Sequence, residues 1–201
     1  MATRETSAEI AECRNRISNP ARIMSDPSVY DVTYTAVDFE TTSLYPHSAE
    51  VVEIGAVKFD LLSERRETFS QLVKPLGKIP MEATEIHGIT NEMVARSPNF
   101  EEALPSLEAF VGQSVILAHN SKFDLRFVSE GMKSLPVIDT LRMARNYLSS
   151  RRYKLSSLVE SPVYHRALPD AISCMELFKR CIRVMEQQRG KTLIYLREIT
   201  E

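Results

Sequence analysis

Apolar residues in this chain fall into short strand-length runs in the first third and into alternating strand and helix patterns afterwards. Thr33 to Phe39 and Val51 to Phe59 are nearly continuous apolar runs, the second with Gly55 inside it, and each predicts a buried strand. Thr68 to Lys74 predicts a third strand, and Pro75 and Pro80 close this unit. A helical turn is expected over Glu82 to Ile86. Thr90 is placed to cap a short helix, and Phe100 to Val111 has helical spacing, with Pro105 expected to kink that helix or mark its start. Ser114 to Ala118 is continuously apolar and reads as a central strand. A helix over Ser121 to Gly131, a short strand over Pro136 to Ile138 and a helix capped by Asp139 or Thr140 and running to about Leu148 follow. Leu155 to Val159 predicts a short helix. Ala167 to Arg189 carries a long apolar stripe that Gly190 ends, and Thr192 to Leu196 fits a small edge strand.

Short polar links between the first three strands imply antiparallel neighbours. The later strands alternate with helices, which implies parallel pairing. The sum is an α/β domain with a mixed sheet flanked by helices. Residues 32–190 form this domain. Residues 1–31 read as an N-terminal appendage, with a short amphipathic helix expected from about Thr6 to Ile17, and residues 191–201 as a C-terminal tail.

Composition adds limits. The 201 residues suffice for one core, and 43% hydrophobic with 26% charged residues is ordinary for a soluble globular chain. No apolar run is long enough to span a membrane, and the first residues lack the apolar block of a signal peptide, so a cytoplasmic location is expected. Cys13, Cys174 and Cys181 form no CxxC pair, and the last two fit core positions of the long helix. A net charge of −2 is not that of a protein coating nucleic acid by bulk charge, but it allows a grip on a few phosphates at one site.

The candidate chemistry lies at element ends. Asp38 and Glu40 close the first apolar run, two residues apart, so on a strand their side chains share one face. Such a pair is either a polar strand end in water or a pair of like charges that raise each other's pKa and need a cation. Hard oxygen ligands suit Mg²⁺ or Mn²⁺. Asp124 falls in the first turn after the central strand. There Ser121-x-x-Asp124 fits a capping box, and the same turn aims at the crevice beyond the carboxyl ends of the strands. His165 and Asp170 would diverge by about 140° on one helix. Pro169 belongs in a helix's first turn, which leaves His165 in the preceding loop and able to approach the same crevice. Asp139 fits a helix cap, His119 a hydrogen-bonding neighbour, and Asn120 a cap or a substrate contact. The cations Arg142, Arg145, Arg151, Arg152 and Lys154 are either a solvated face or a guide for a phosphate backbone.

Three motifs carry a resemblance: DFETTSL (Asp38 to Leu44), HNSKFD (His119 to Asp124) and HRALPD (His165 to Asp170), with HGIT (His87 to Thr90) between the first two. In order and spacing, residues 33 to 185 resemble the histidine-containing branch of the DEDD superfamily of 3′–5′ exonucleases. Among its members they are similar to the proofreading epsilon subunit of bacterial DNA polymerase III and to the exonuclease domain of its Gram-positive counterpart. The resemblance implies a ribonuclease-H-like fold with a five-stranded mixed sheet. It implies that Asp38, Glu40, Asp124 and Asp170 bind two divalent cations, Mg²⁺ or Mn²⁺, that clamp the attacking and leaving oxygens. It makes His165 the general base that takes a proton from the attacking water. Thr41, Leu44, Glu82, His87 and Phe123 would hold the terminal nucleotide, Leu44 as a wedge against the last base. Ser43 stands where the family usually has Gly, and Pro169 replaces a commoner polar residue. The implied activity is release of nucleoside 5′-monophosphates from single-stranded 3′ ends. DNA is the leading substrate, in proofreading or repair and with a polymerase as partner. RNA is the alternative substrate, and a non-catalytic nucleic-acid-binding module is a third reading.

Overall fold

The computed structural model describes residues 26–45, 47–161, 165–190 and 193–200. The helix expected from Thr6 to Ile17 lies outside these residues. Strands β1 (Tyr34–Thr41), β2 (Val51–Phe59) and β3 (Arg66–Leu72) come first. Helices α1 (Met81–His87), α2 (Asn91–Val94) and α3 (Phe100–Val111) follow. Then come β4 (Val115–Ala118), α4 (Ser121–Asp124), α5 (Glu130–Lys133) and β5 (Val137–Asp139). Helices α6 (Thr140–Tyr147), α7 (Leu155–Leu158) and α8 (Ala167–Arg189) complete the domain.

The sheet runs β3-β2-β1-β4-β5. β1 pairs antiparallel with β2, and β2 with β3, whereas β1–β4 and β4–β5 are parallel. The expected five-stranded mixed sheet is therefore present, with the expected antiparallel start. Its two faces sort by the strand period of two. Tyr34, Ala36, Val57, Phe59 and Leu117 face α8, where Leu177, Phe178 and Cys181 cover them. Tyr34 and Phe178 lie 4.8 Å apart, ring centre to ring centre, in a tilted pair. Val37, Phe39, Ile54, Ala56 and Ile116 face the other way, against Leu107 and Val111 of α3. Each fully buried Val, Ile, Leu or Phe among them contributes roughly 1.5–3 kcal/mol. Cys174 and Cys181 are buried and free, as their helical spacing predicts. No helix among the described residues is long and apolar enough to cross a membrane.

Several elements depart from the sequence pattern. The helix expected over Ser121 to Gly131 is two short turns. After Asp124 the chain tightens, with the Arg126 and Phe127 amides donating three residues back, so that Phe127 tucks against Phe39 and Phe123. Ser129 then caps α5 by accepting from the Met132 amide. β3 starts and ends two residues earlier than expected, because pairing with β2 recruits Arg66 and Glu67 despite their exposure. α3 neither starts at Pro105 nor ends there. Asn99 and Glu102 form a capping box that starts it at Phe100, and it continues through the exposed Pro105. In the tail, Tyr195 makes only an isolated bridge, to Ser28, and Leu196–Glu198 is a 3-10 turn. Val29, Ile194 and Leu196 are nevertheless buried, and the Val29 amide donates to the Ile194 carbonyl, so these flanking segments pack on the α8 side.

Candidate active site

β1 sits between its antiparallel and parallel neighbours, and its carboxyl end carries both early acids. Asp38 and Glu40 continue the face of Tyr34 and Ala36, so they point toward α8. Their cross-strand partners on β2 are Gly55 and Glu53. The strand runs to Thr41, two residues past its expected end at Phe39, so Glu40 as well as Asp38 lies on it.

Gly55 sets how close α8 comes. A Cβ there would lie 2.1 Å from the carbonyl carbon of Ala167. The missing side chain thus lets the first turn of α8 rest on the sheet directly behind Asp38. Glu53 fixes that turn. It is only 2% exposed, and its carboxylate accepts from Arg166 Nη2 at 2.6 Å, from Arg166 Nε at 2.9 Å and from the Ala167 amide at 2.9 Å. Pro169 falls in the first turn of α8, as expected, and His165 precedes the helix. The His165 backbone is left-handed (φ 58°), a conformation costly for a residue with a side chain. Its amide donates to Asp170 Oδ2 at 3.0 Å, which ties loop and acid together.

The result is convergence. One carboxylate oxygen from each of Asp38, Glu40 and Asp170 lies within 4.8 Å of the others. Asp124, 5% exposed on α4, lies outside that trio but acts on Asp38 from the side. Burial, then repulsion from Asp124, Glu40, Asp170 and Glu53, pushes the Asp38 carboxyl well above the usual range. Glu40 is pushed up to about 8 by burial and then by Asp170 and Glu53, with Arg166 opposing. Burial pushes Asp124 up to about 8 as well, and raises Asp170. Unlike charges in water, such acids are held close by the fold, and their oxygens suit hard divalent cations. The donor set therefore fits the implied metals.

The remaining candidates divide. Thr41 is buried and donates its hydroxyl to the Ser43 carbonyl at 2.8 Å. Ser43 Oγ accepts from the Tyr45 amide, and Ser43 is not among the left-handed non-glycine residues, so this loop does not require the family's glycine. Leu44 stands 77% exposed at the loop tip. Phe123 is half-buried, 5.4 Å from the Phe127 ring centre. His87 is buried. Its Nδ1 accepts from the Ile89 amide at 3.0 Å, and Nε2 has no hydrogen-bond partner among the described residues. Burial lowers its pKa, so the ring is neutral with the proton on Nε2. Glu82 is exposed at the start of α1 and is not part of the acidic trio.

The capping box expected from Ser121 and Asp124 does not form. Asn120 occupies the cap position with a left-handed backbone (φ 74°) and without a side-chain cap bond. Asp139 takes over: it accepts from the amides of Asn120 and Ser121 and from those of Leu141 and Arg142. It thus caps α6, as expected, and also orients the turn that carries Asp124. His119 bridges Thr140 Oγ1 at 3.1 Å and the Tyr153 carbonyl at 2.8 Å, a structural neighbour as expected.

Sequence reasoning did not single out Glu53, Gly55 and Arg166 for the site. An acid inside VVEIGAV was the available signal, since an ionised residue in a buried strand needs a partner.

The exonuclease family matches residues 35–178. The DNA polymerase III PolC-type of Thermotoga maritima is 38% identical over 83% of this chain and 13% of its own length, so the chain spans about an eighth of that relative. DNA polymerase III subunit epsilon of Treponema pallidum is 34% identical over 79% of this chain and 80% of its own. Among solved structures, Exonuclease X in complex with 5′-overhanging duplex DNA superposes with a TM-score of 0.63 at 29% identity, covering 79% of this chain and 94% of that one.

Proposed function

We propose that this chain, which belongs to the exonuclease family, hydrolyses the terminal phosphodiester at the 3′ end of DNA and releases nucleoside 5′-monophosphates. The observation that carries this is the convergence of Asp38, Glu40 and Asp170, with Asp124 acting on Asp38 and His165 lining the same cleft as Asp170. Asp38, Glu40 and Asp170 would hold one divalent cation and Asp38 with Asp124 a second, Mg²⁺ or Mn²⁺; bound there, such ions act as Lewis acids on the phosphodiester and neutralise the acids.

The chain's own groups supply the rest. His165, exposed and held before α8, takes a proton from the attacking water. Asp170 holds that loop through the His165 amide. His87 offers its Nε2 proton to the terminal nucleotide from a buried position. Thr41, Leu44, Phe123 and Glu82 would hold the terminal nucleotide with it, Leu44 from its exposed position as a wedge against the last base. The likeness to DNA polymerase III proteins supports a role in proofreading or repair, with a polymerase as partner, in the cytoplasm.

The test is a sizing gel. Matched 5′-labelled single-stranded DNA and RNA are incubated with protein and Mg²⁺ or Mn²⁺. A ladder shortening from the 3′ end of DNA is the expected result. A ladder on RNA alone would make this an exoribonuclease. No ladder on either would return the chain to a binding module.

A further inference from the structure

Residues 142–154 contain five cations and no acid, in a chain whose net charge is −2. Four of them, Arg145, Arg151, Arg152 and Lys154, line a cleft of about 730 Å³ that His165 and Asp170 also line. All four are exposed, and none makes an ion pair with a described residue. The loop that carries three of them is nonetheless built in place. His119 Nε2 bonds the Tyr153 carbonyl, Tyr153 Oη donates to the Leu148 carbonyl at 3.0 Å, and Ser150 Oγ donates to the Arg152 carbonyl at 2.7 Å. His119 directly follows β4 and precedes the turn that presents Asp124. The residue that follows β4, on the way to Asp124, thus also anchors the loop that carries the cations.

Exposed cations without an ion pair among the described residues and phosphate chemistry in the same cleft call for one ligand, a chain of phosphates. We propose that this cleft holds the phosphodiester backbone of the single strand on the 5′ side of the scissile bond, with Arg145, Arg151 and Lys154 contacting successive phosphates. This rests on the exonuclease reading for the direction of the strand. Its energetic logic is that the acidic end repels DNA, while the basic wall holds the incoming strand by charge. Contacts to phosphate carry no sequence information, so the grip is independent of base identity.

The experiment is binding of a 5′-fluorescein single-stranded DNA 12-mer in EDTA, read by anisotropy between about 50 mM and 200 mM salt. Each phosphate contact contributes about 0.7 to the slope of log affinity against log salt for a single strand. Arg145→Ala/Arg151→Ala/Lys154→Ala is expected to weaken binding about tenfold or more and to flatten the slope by about 2. Arg145→Lys/Arg151→Lys, which keeps the charges, is expected to retain the wild-type slope. Equal binding and slope in the wild type and the alanine variant would overturn the proposal. So would a lysine variant as weak as the alanine one, or a wild type that does not bind. The gel assay is read separately. Shortening of DNA with binding insensitive to these residues sinks the cleft alone, and cation-dependent binding without shortening sinks the hydrolysis reading alone.

Discussion

Glu40 and Asp124 are acids whose protons the fold holds up to about pH 8, Glu40 through burial and its acidic neighbours and Asp124 chiefly through burial. In the unfolded chain both titrate near 4. The folded state therefore binds the extra protons, and its stability is fully present below about pH 4 and is lost as pH rises toward 8. Without divalent cations the protein is expected to melt at a lower temperature at pH 8.5 than at pH 5.5. The difference should be at least about 1 kcal/mol, or roughly 2–4 °C for a chain this size. Mn²⁺ should restore more at pH 8.5, where the ligands are deprotonated. Melting curves that do not depend on pH would contradict the crowding of these acids. His165 makes a sharper residue-scale case. It is exposed, so His165→Ala should leave stability within about 0.5 kcal/mol while lowering kcat by about 10²–10⁴-fold. Near wild-type initial rates would remove it as the base.

At the scale of elements, the site depends on how the first turn of α8 rests on β2. Gly55→Ala would drive a methyl into the Ala167 backbone, and the helix must shift; a loss of about 1–3 kcal/mol and most of the activity is expected. Arg166→Ala leaves Glu53 buried without its guanidinium. Because Arg166 is itself part-exposed, roughly 2 kcal/mol is expected, read as a lowered denaturation midpoint. The sequence made β2, β4, the Asp139 cap and the whole of α8 legible, because each has an uninterrupted apolar pattern with a clear stop. It did not reveal the break after Asp124, because Phe127 leaves the helix to meet Phe39, a contact between distant positions. The four acids and His165 stood out at element ends. Glu53 and Arg166 did not, because 113 positions separate them and only the fold pairs them.

The whole molecule is a sheet whose strand order changes direction at β1, with one helix layer carrying Asp170 onto the acids of that strand. Every part of the site depends on that layering: two acids from β1, one from the turn after β4 and one from α8. If these acids form a cation-dependent hydrolytic site, it shows most directly in the rate of mononucleotide release from single-stranded DNA, with Mn²⁺ and with EDTA, by the wild type and by Asp170→Asn. Release is expected only with the cation, and about 10³-fold more slowly from a folded Asp170→Asn protein. Release that persists in EDTA, or an Asp170→Asn protein as fast as wild type, would contradict such a site.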